Sequence, residues 1–314
     1  MLKVGLVGVG GISGAHIPAW NTMEGVELVA LCDVRSQQME KYSDVHRYLD
    51  FDEMLEKEEL DILDICLPTY LHVDYAIKAM EKGIHVLCEK PISLNEKDVE
   101  RVYSTAKRMN VNFMVAQALR FVPEYVLVKE LYDRKKYGNL LSGFMRRLSS
   151  KPDWSWDDWM SDEDKSGLVP FDLHIHDLDY MVYVFGEPKE VKSNRVRRPE
   201  QDFINAVYEY PDFFIEAECS WYGCPFPFVA GYRFVFEKAI VSYEAGKCVI
   251  YENNGSIIDL TEEAQGDTGD INLPKSDAYS EEIRYFVECV QKGKFSDKVK
   301  PEELSAVIRI LQNL

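Results

Sequence analysis

Three residues of this chain carry groups suited to moving a proton: Lys90, Asp172 and His176. A lysine ammonium can hold or polarise a reacting oxygen, and a histidine titrates close enough to neutral pH to take a proton from a hydroxyl. The spacing of four between Asp172 and His176 puts both side chains on one face of a predicted helix, where the carboxylate can orient the ring or bond a substrate hydroxyl. On the residues alone, such a pair is more often an ordinary first-turn pair than a catalytic one.

A glycine-rich turn near the amino terminus is suited to binding phosphate. Glycine at position 8 allows a sharp turn off an apolar strand, and glycine at position 10 lets a pyrophosphate approach the backbone. The following N–H groups lie at a helix N-terminus and would face the anion. Ser13 stands at the third glycine position of this fingerprint, and its small side chain still permits close helix–strand packing. The residues predicted to bind the pyrophosphate are Gly8, Gly10, Gly11 and Ile12.

The second predicted strand, residues 26–33, ends in an acid. Asp33 lies about 20 residues beyond the glycine turn, where a carboxylate accepts hydrogen bonds from both hydroxyls of an adenosine ribose. Strand, turn, helix, strand and terminal acid in one reading frame predict dinucleotide binding. We expect NAD rather than NADP, because Asp33 would repel a 2′-phosphate. Arg35 is also a candidate cofactor contact, since it could swing over such a phosphate.

The elements that must position these residues alternate between strand and helix up to about residue 122. We predict strands at 62–67, 84–88 and 112–116, and a polar helix at 36–45. This alternation is typical of a doubly wound parallel sheet, which binds ligands at the carboxyl ends of its strands. Further candidates for cofactor binding lie at or just beyond those ends: Pro68, Thr69, His72, Glu89, Lys90 and Gln117.

Composition excludes several classes of partner. The 314 residues include 46% hydrophobic ones, enough for proper cores, and the net charge of −18 opposes binding to nucleic acid and to anionic membranes. The chain shows neither a charged leader followed by an apolar segment nor 18 uninterrupted apolar residues, so we expect a cytoplasmic protein. Seven cysteines without a CxxC pair are expected to be reduced core residues.

Several motifs together resemble those of the Gfo/Idh/MocA oxidoreductases, and the resemblance covers nearly the whole chain. The motifs, in chain order, are Gly8–Ser13, Pro68-Thr69 with His72, Glu89-Lys90-Pro91, Arg120-Phe121, and Asp172 with His176. The resemblance implies a Rossmann domain followed by an open-faced sheet domain. It also implies hydride transfer between NAD(P) and a hydroxyl or carbonyl, usually on a sugar or cyclitol.

The resemblance assigns roles to individual residues. It implies that Lys90 is catalytic, that Pro91 follows a cis peptide bond, and that Asp172 and His176 form the family's Asp-x-x-x-His pair. Leu168 departs from the pattern, because many members have a second glycine there. The same core motifs would fit an NAD-dependent glycosidase that uses transient oxidation, and the cofactor turn alone would fit a non-catalytic NAD(H)-binding sensor.

After residue 122 the pattern becomes α+β, with a helix predicted at 171–185 and antiparallel strands from 191 to 260. We therefore expect an NAD(P)-binding Rossmann domain at 1–122 and a substrate-binding and oligomerisation domain at 123–314, with an open-faced, largely antiparallel sheet. The closing helices are able to pack back on the first domain. The exposed sheet face is rich in Phe, Tyr and Val, so a homodimer or homotetramer through it is expected.

Two interpretations compete with these assignments. Asp172, His174 and His176 resemble a metal-ligand set, but residues two apart on a helix project about 200° from each other, so we expect no metal there. Three tryptophans could form an aromatic wall for a sugar or simply anchor a long loop: Trp154, Trp156 and Trp159. Arg120 is a candidate substrate contact that could equally make a structural ion pair.

Overall fold

The structure is a computed structural model that describes residues 1–261 and 277–314. Each of its two compact units has its own sheet and its own buried core. Among the described residues, no helix combines the length and the apolar character needed to cross a membrane. The units consist of residues 1–121 with 277–305, and of residues 122–261 with 306–314.

The first unit is built on a six-stranded sheet in which the strand pairings are parallel. Its strands are β1 (Leu2–Val7), β2 (Val26–Cys32), β3 (His46–Tyr48), β4 (Ile62–Ile65), β5 (His85–Cys88) and β6 (Phe113–Val115). They lie in the order β3-β2-β1-β4-β5-β6, so the direction of winding changes between β1 and β4. Such a change opens a crevice at the carboxyl ends of the strands. The predicted doubly wound parallel sheet is confirmed.

Helices connect these strands: α1 (Ser13–Asn21), α2 (Phe51–Lys57), α3 (His72–Glu81) and α4 (Glu96–Met109). The sequence of α4 explains its bounds. The Asn95 side chain caps its start by accepting a hydrogen bond of 3.1 Å from the backbone N–H two residues on. Val99, Val102 and Ala106 form its buried stripe, and the helix ends at Asn110 in a left-handed conformation with φ 54°.

The predicted helix at 36–45 is wrong. The structure has a short 3₁₀ helix, Ser36–Met39, followed by turns that lead into β3. Met39 is the one buried residue between positions 36 and 45, so the segment has no apolar stripe with which a helix could pack. The residues that follow it pair with β2 instead.

The second unit combines helices with an eight-stranded sheet. Its helices are α5 (Pro123–Asp133), α6 (Glu163–Ser166) and α7 (Ile175–Phe185). Its strands are β7 (Leu140–Ser150), β8 (Glu190–Arg198), β9 (Gln201–Glu209), β10 (Phe214–Tyr222), β11 (Val229–Phe236), β12 (Ala239–Glu244), β13 (Lys247–Glu252) and β14 (Ile257–Asp259). Of the two closing helices, α8 (Ala278–Gln291) belongs to the first unit, and α9 (Pro301–Leu311) has residues in both units.

The second sheet has the order β14-β13-β12-β11-β7-β10-β9-β8. The long central strand β7 runs parallel to β10, and the other pairings are antiparallel. Ile204, Ala206 and Tyr208 on β9 are buried, whereas Phe203 and Val207, which point to the opposite face, are partly exposed. The predicted open-faced, largely antiparallel sheet is confirmed.

The cysteines match their expected state with one exception. All seven are free thiols, and six of them are buried. Cys224, which follows β10, is exposed rather than part of a core.

Candidate active site

The turn after β1 requires glycine at its first position. Gly8 has φ +91°, and a Cβ there would lie 2.7 Å from the carbonyl carbon of Cys66. Glycine tolerates this conformation and this close approach, whereas other residues do not. Ser13 is the first residue of α1, and its hydroxyl donates a hydrogen bond of 2.7 Å to the Gly10 carbonyl. Serine therefore fits at the third position of the fingerprint.

Asp33 lies just beyond β2 and is held by the same turn. Its Oδ2 accepts a hydrogen bond of 2.8 Å from the Val9 N–H, and its Oδ1 accepts one of 2.8 Å from the Arg35 N–H. The Arg35 guanidinium also pairs with this carboxylate, with Nε 3.2 Å from Oδ1. A carboxylate has about four acceptor sites, and with Arg35 Nη2 3.5 Å from Oδ2 all of them have a donor here. A ribose hydroxyl would therefore take the place of a guanidinium contact.

His72 joins two of the predicted cofactor loops. Its Nδ1 lies 2.7 Å from the Pro91 carbonyl oxygen and its Nε2 lies 2.7 Å from that of Leu67. Burial lowers the pKa of His72, and the two carbonyls oppose that shift in part. The ring is 1% exposed, so His72 links the loop after β4, which carries Pro68 and the buried Thr69, to the segment after β5.

Lys90 lies in that segment after β5. Between residues 86 and 93 it is the one residue that is not buried. The Lys90–Pro91 peptide bond is cis, as the resemblance implied. The Lys90 N–H donates a hydrogen bond of 3.1 Å to Oε2 of the buried Glu89.

Gln117 follows β6 at the same edge of the sheet. It is 1% exposed, and within the described part of the chain its Nε2 has no hydrogen-bond partner. Buried donors are normally paired, so this amide suits a polar ligand. Together with the Gly8 turn and the Asp33 carboxylate, it fits a dinucleotide along the carboxyl ends of the strands.

In the second unit, Asp172 and His176 stand out from a buried stretch. From residue 168 to residue 182 they are the two residues that are not buried. Asp172 lies in a π-helical turn, Pro170–His174, in which the N–H of Ile175 donates to the carbonyl five residues back. Such turns are rare and occur frequently at functional sites. The turn and α7 therefore present this pair away from the core.

His174 points the other way. It is fully buried, its Nε2 is hydrogen-bonded to the Tyr208 hydroxyl, and burial lowers the pKa of His174 to about 4. The ring is therefore neutral and packs against β9 as a core residue. The geometry does not bring His174 together with Asp172 and His176 as a set of metal ligands.

An internal ion pair fixes α7 on the second sheet. Arg147 on β7 donates to Asp177 on α7 through Nη2, at 2.8 Å, and through Nε, at 3.3 Å. The side chains are 4% and 0% exposed. Because Asp177 adjoins His176, this pair sets the position of the predicted base.

The remaining candidates differ in exposure. The Arg120 side chain is fully buried and donates to Glu303 Oε2 at 2.5 Å and to the Lys298 carbonyl at 2.6 Å. Of the two roles considered for Arg120, the structure therefore contains the structural ion pair. Trp154 and Trp156 are 61% and 43% exposed, whereas Trp159 is partly buried. Their segment contains a 3₁₀-helical stretch (Trp156–Ser161), interrupted by the left-handed residues Asp157 and Asp158, and the short helix α6.

Sequence reasoning missed a buried polar group beside Lys90. It consists of His16 on α1, Asp64 on β4, Glu89 after β5 and Glu282 on α8. Asp64 gave a signal, since it is an acid between the apolar residues of a strand that is buried on both sides.

Family models match both parts of this chain. Residues 2–117 match the family model described as "Oxidoreductase family, NAD-binding Rossmann fold", and residues 125–241 match the model of the GFO/IDH/MocA C-terminal domain. The fold and the cofactor turn thus define an NAD-binding Rossmann protein of the oxidoreductase class. The chain belongs to the Gfo/Idh/MocA family.

Similar curated proteins include two bacterial dehydrogenases. Glucose-6-phosphate 3-dehydrogenase of Bacillus subtilis is 28% identical over 226 residues, which are 68% of this chain and 64% of that protein. Inositol 2-dehydrogenase of Salmonella typhimurium is 27% identical over 224 residues, which are 68% of this chain and 63% of that protein. The matches thus span somewhat less than two thirds of these relatives' length.

Solved structures share the fold over nearly the whole chain. A dehydrogenase from Chromobacterium violaceum has a TM-score of 0.83 and 19% identity, with 100% of this chain and 94% of that chain covered. A levoglucosan dehydrogenase in complex with NADH and levoglucosan has a TM-score of 0.84 and 16% identity, with 99% and 95% covered. At these identities the likeness shows the fold alone.

Proposed function

We propose that this protein transfers a hydride between NAD and a hydroxyl or carbonyl group of a sugar, a cyclitol or a related polyol. One observation carries the proposal: Lys90, Asp172 and His176 are the residues that escape burial in two otherwise buried segments. These proton-transfer groups stay accessible where their neighbours are packed, as a catalytic role requires. The dehydrogenases of sugars and inositol among the relatives support the substrate class.

The first unit would hold the cofactor. Gly8, Gly10, Gly11 and Ile12 would bind the pyrophosphate, and Asp33 the adenosine ribose. The residues at the other strand ends would line the rest of the cofactor: Arg35, Pro68, Thr69, Glu89, Lys90 and Gln117, with His72 holding two of these loops together. When bound, NAD supplies the hydride acceptor.

Lys90, Asp172 and His176 would share the acid–base work. His176 is the proposed general base, because an imidazole needs little pKa change to accept a proton near neutral pH. Lys90 would hold and polarise the reacting oxygen, and Asp172 would orient the substrate or the imidazole. The exposed rings of Trp154 and Trp156, with Trp159, would offer flat surfaces to the C–H faces of a sugar.

A thermal-shift screen with NAD, NADP and a panel of sugars, inositols and sugar acids tests the proposal. NAD alone is expected to raise the melting temperature, and at least one polyol is expected to raise it further when NAD is present, because ligands that bind the folded state stabilise it. A melting temperature that NAD does not move would contradict the proposal.

The choice of NAD over NADP is proposed to depend on the Asp33 charge. Asp33→Asn keeps an oxygen that can accept from the Val9 N–H but removes the charge that repels a 2′-phosphate. It also releases the Arg35 guanidinium, which then can pair with that phosphate. The ratio of NADP to NAD affinity is expected to rise about 10–100-fold, because like charges in close contact cost several kcal/mol. Titration of both cofactors measures this ratio.

Asp44→Asn is the matched control, since Asp44 is exposed and near Asp33 in the chain. It should leave both affinities unchanged. Tighter binding of NADP than NAD by the unaltered protein would refute the assignment of Asp33.

We also propose a cytoplasmic homodimer or homotetramer formed through the open face of the second sheet. Phe203 and Val207 on β9 and Phe144 on β7 are only partly buried on that face. Apolar side chains of this size are seldom left in contact with water over a whole sheet face. Light scattering is expected to give a multiple of 36.3 kDa at micromolar concentration. A monomer at that concentration would rule out this assembly.

A further inference from the structure

A buried histidine bridges two carboxylates inside the first unit. His16 on α1 is fully buried, with Nδ1 2.8 Å from Asp64 Oδ2 and Nε2 3.0 Å from Glu89 Oε1. Each ring nitrogen therefore faces a carboxylate oxygen, and both must donate for both contacts to be hydrogen bonds. Burial lowers the pKa of His16, but the Asp64 carboxylate and the hydrogen bond to it raise it by more, so the net pKa is well above its ordinary value. His16 is an imidazolium at neutral pH.

Other groups around the ring leave this charge in place. The Trp20 indole N–H donates to Asp64 at 2.6 Å, and burial raises the pKa of the Cys66 thiol to about 12. From α8, the Tyr279 ring lies 5.7 Å from the His16 ring. Burial and the nearby Glu89 raise the pKa of Glu282 well above its ordinary value, which favours its neutral form. The imidazolium thus balances one of two buried carboxylates, Asp64 and Glu89.

Metal binding explains this group less well. The ligand atoms of His16, Asp64 and Cys66 lie within 4.8 Å of one another. A metal needs a ring nitrogen without a proton and a thiolate. Here both ring nitrogens face acceptors and the thiol holds its proton, so the group is built as a hydrogen-bonded chain.

The chain of hydrogen bonds ends at Lys90. Oε1 of Glu89 accepts a hydrogen bond from His16 Nε2, and Oε2 of Glu89 accepts one from the Lys90 N–H. His16 itself belongs to the helix that begins at the glycine turn. One side chain therefore connects the helix of the cofactor turn with the backbone of the lysine segment.

We propose that His16 is a positioning residue for Lys90: its imidazolium fixes the Glu89 carboxylate, which holds the Lys90 backbone at the carboxyl end of β5. This inference rests on the catalytic role proposed for Lys90. His16 does not reach a substrate, because it is buried; it acts through Glu89.

His16→Gln tests the proposal, because a glutamine carries both donor hydrogens on one nitrogen, cannot place donors at both ring-nitrogen positions, and carries no charge. We expect kcat to fall about 10–100-fold, since small displacements of a catalytic group are costly, while the Kd for NAD stays within about threefold. His85→Gln is the matched control: His85 lies at the opposite end of β5 and is only half-buried. It should keep the kcat of the unaltered protein.

The Lys90→Ala background separates positioning from a general structural effect. If His16 acts through Lys90, His16→Gln lowers kcat in the unaltered protein but adds little to Lys90→Ala. An equal further loss in the Lys90→Ala background would overturn the proposal. A Lys90→Ala protein with full activity would instead overturn the proposed function of Lys90, which distinguishes the two failures.

Amide hydrogen exchange gives a readout that does not depend on activity. In a peptide spanning residues 86–93, the Lys90 amide is expected to exchange about tenfold faster in His16→Gln than in His85→Gln, because its acceptor is no longer fixed. Glu89→Leu, which removes both acceptor oxygens, covers the case in which His16→Gln does not fold, and it should show the same faster exchange. Unchanged exchange at Lys90 in the folded variants would overturn the proposal.

Discussion

Lys90→Ala and His176→Ala are each expected to lower turnover by about 10²–10⁴-fold, the usual effect of removing acid–base help. Neither change should alter NAD affinity much, because both residues are assigned to the reacting oxygen and its proton. Both kcat and kcat/KM for the polyol should therefore fall, whereas the Kd for NAD should stay nearly the same. Steady-state kinetics and a cofactor titration on the same preparations measure both quantities.

Exposed residues of the same types provide the controls. Lys82→Ala, at the end of α3, and His46→Ala, on β3, remove a lysine and a histidine from exposed positions and should keep full turnover. A His176→Ala protein with near-normal turnover and an unchanged alkaline pH profile would transfer the base role to Lys90. Lysine would then need a pKa about three units below its ordinary value to act near neutral pH.

Removing one partner of the Arg147–Asp177 pair is expected to reduce the free energy of unfolding by about 3–5 kcal/mol, because the other charge remains buried and unpaired. Burial lowers the pKa of Arg147, but Asp177 raises it by more, so the guanidinium stays charged. Arg147→Ala and Asp177→Ala should both show this loss in denaturant unfolding. Because Asp177 adjoins His176 on α7, kcat of the folded fraction should fall as well.

Two further variants test whether the unpaired buried charge causes the loss of stability. Arg147→Met combined with Asp177→Leu should recover most of the lost stability, since a buried ion pair can be replaced by apolar side chains of similar size. Arg197→Ala removes one partner of an exposed pair with Glu163 and should leave stability near its original value. A stable Asp177→Ala protein with normal kcat would contradict the role given to this pair.

The sequence predicts the first unit well because its signals are local. Apart from the short polar β3, each strand of the parallel sheet is an apolar run that ends at a turn. Gly8 and Asp33 directly follow such ends, and Lys90 lies two residues beyond one. Parallel strands bring those ends to one edge, so their grouping follows from topology alone. The helix predicted at 36–45 failed because polar residues favour a helix only where an apolar stripe can pack.

The buried polar chain was beyond prediction because its members are far apart in sequence. His16 lies 48 residues from Asp64 and 73 residues from Glu89, so no local pattern records their contact. The π-helical turn at Pro170–His174 is another feature without a local signal, since a continuous helix over 171–185 fits the same apolar pattern. Both features depend on tertiary packing.

Net formation of NADH by the purified protein, followed with NAD over a panel of sugars, inositols and sugar acids, tests the proposed reaction most directly. We predict that at least one cyclic polyol gives a steady rise in NADH absorbance, and that Lys90→Ala combined with His176→Ala abolishes the rise while NAD still binds. NAD binding without NADH formation from any panel member, or release of an aglycone from glycosides without net NADH, would contradict it.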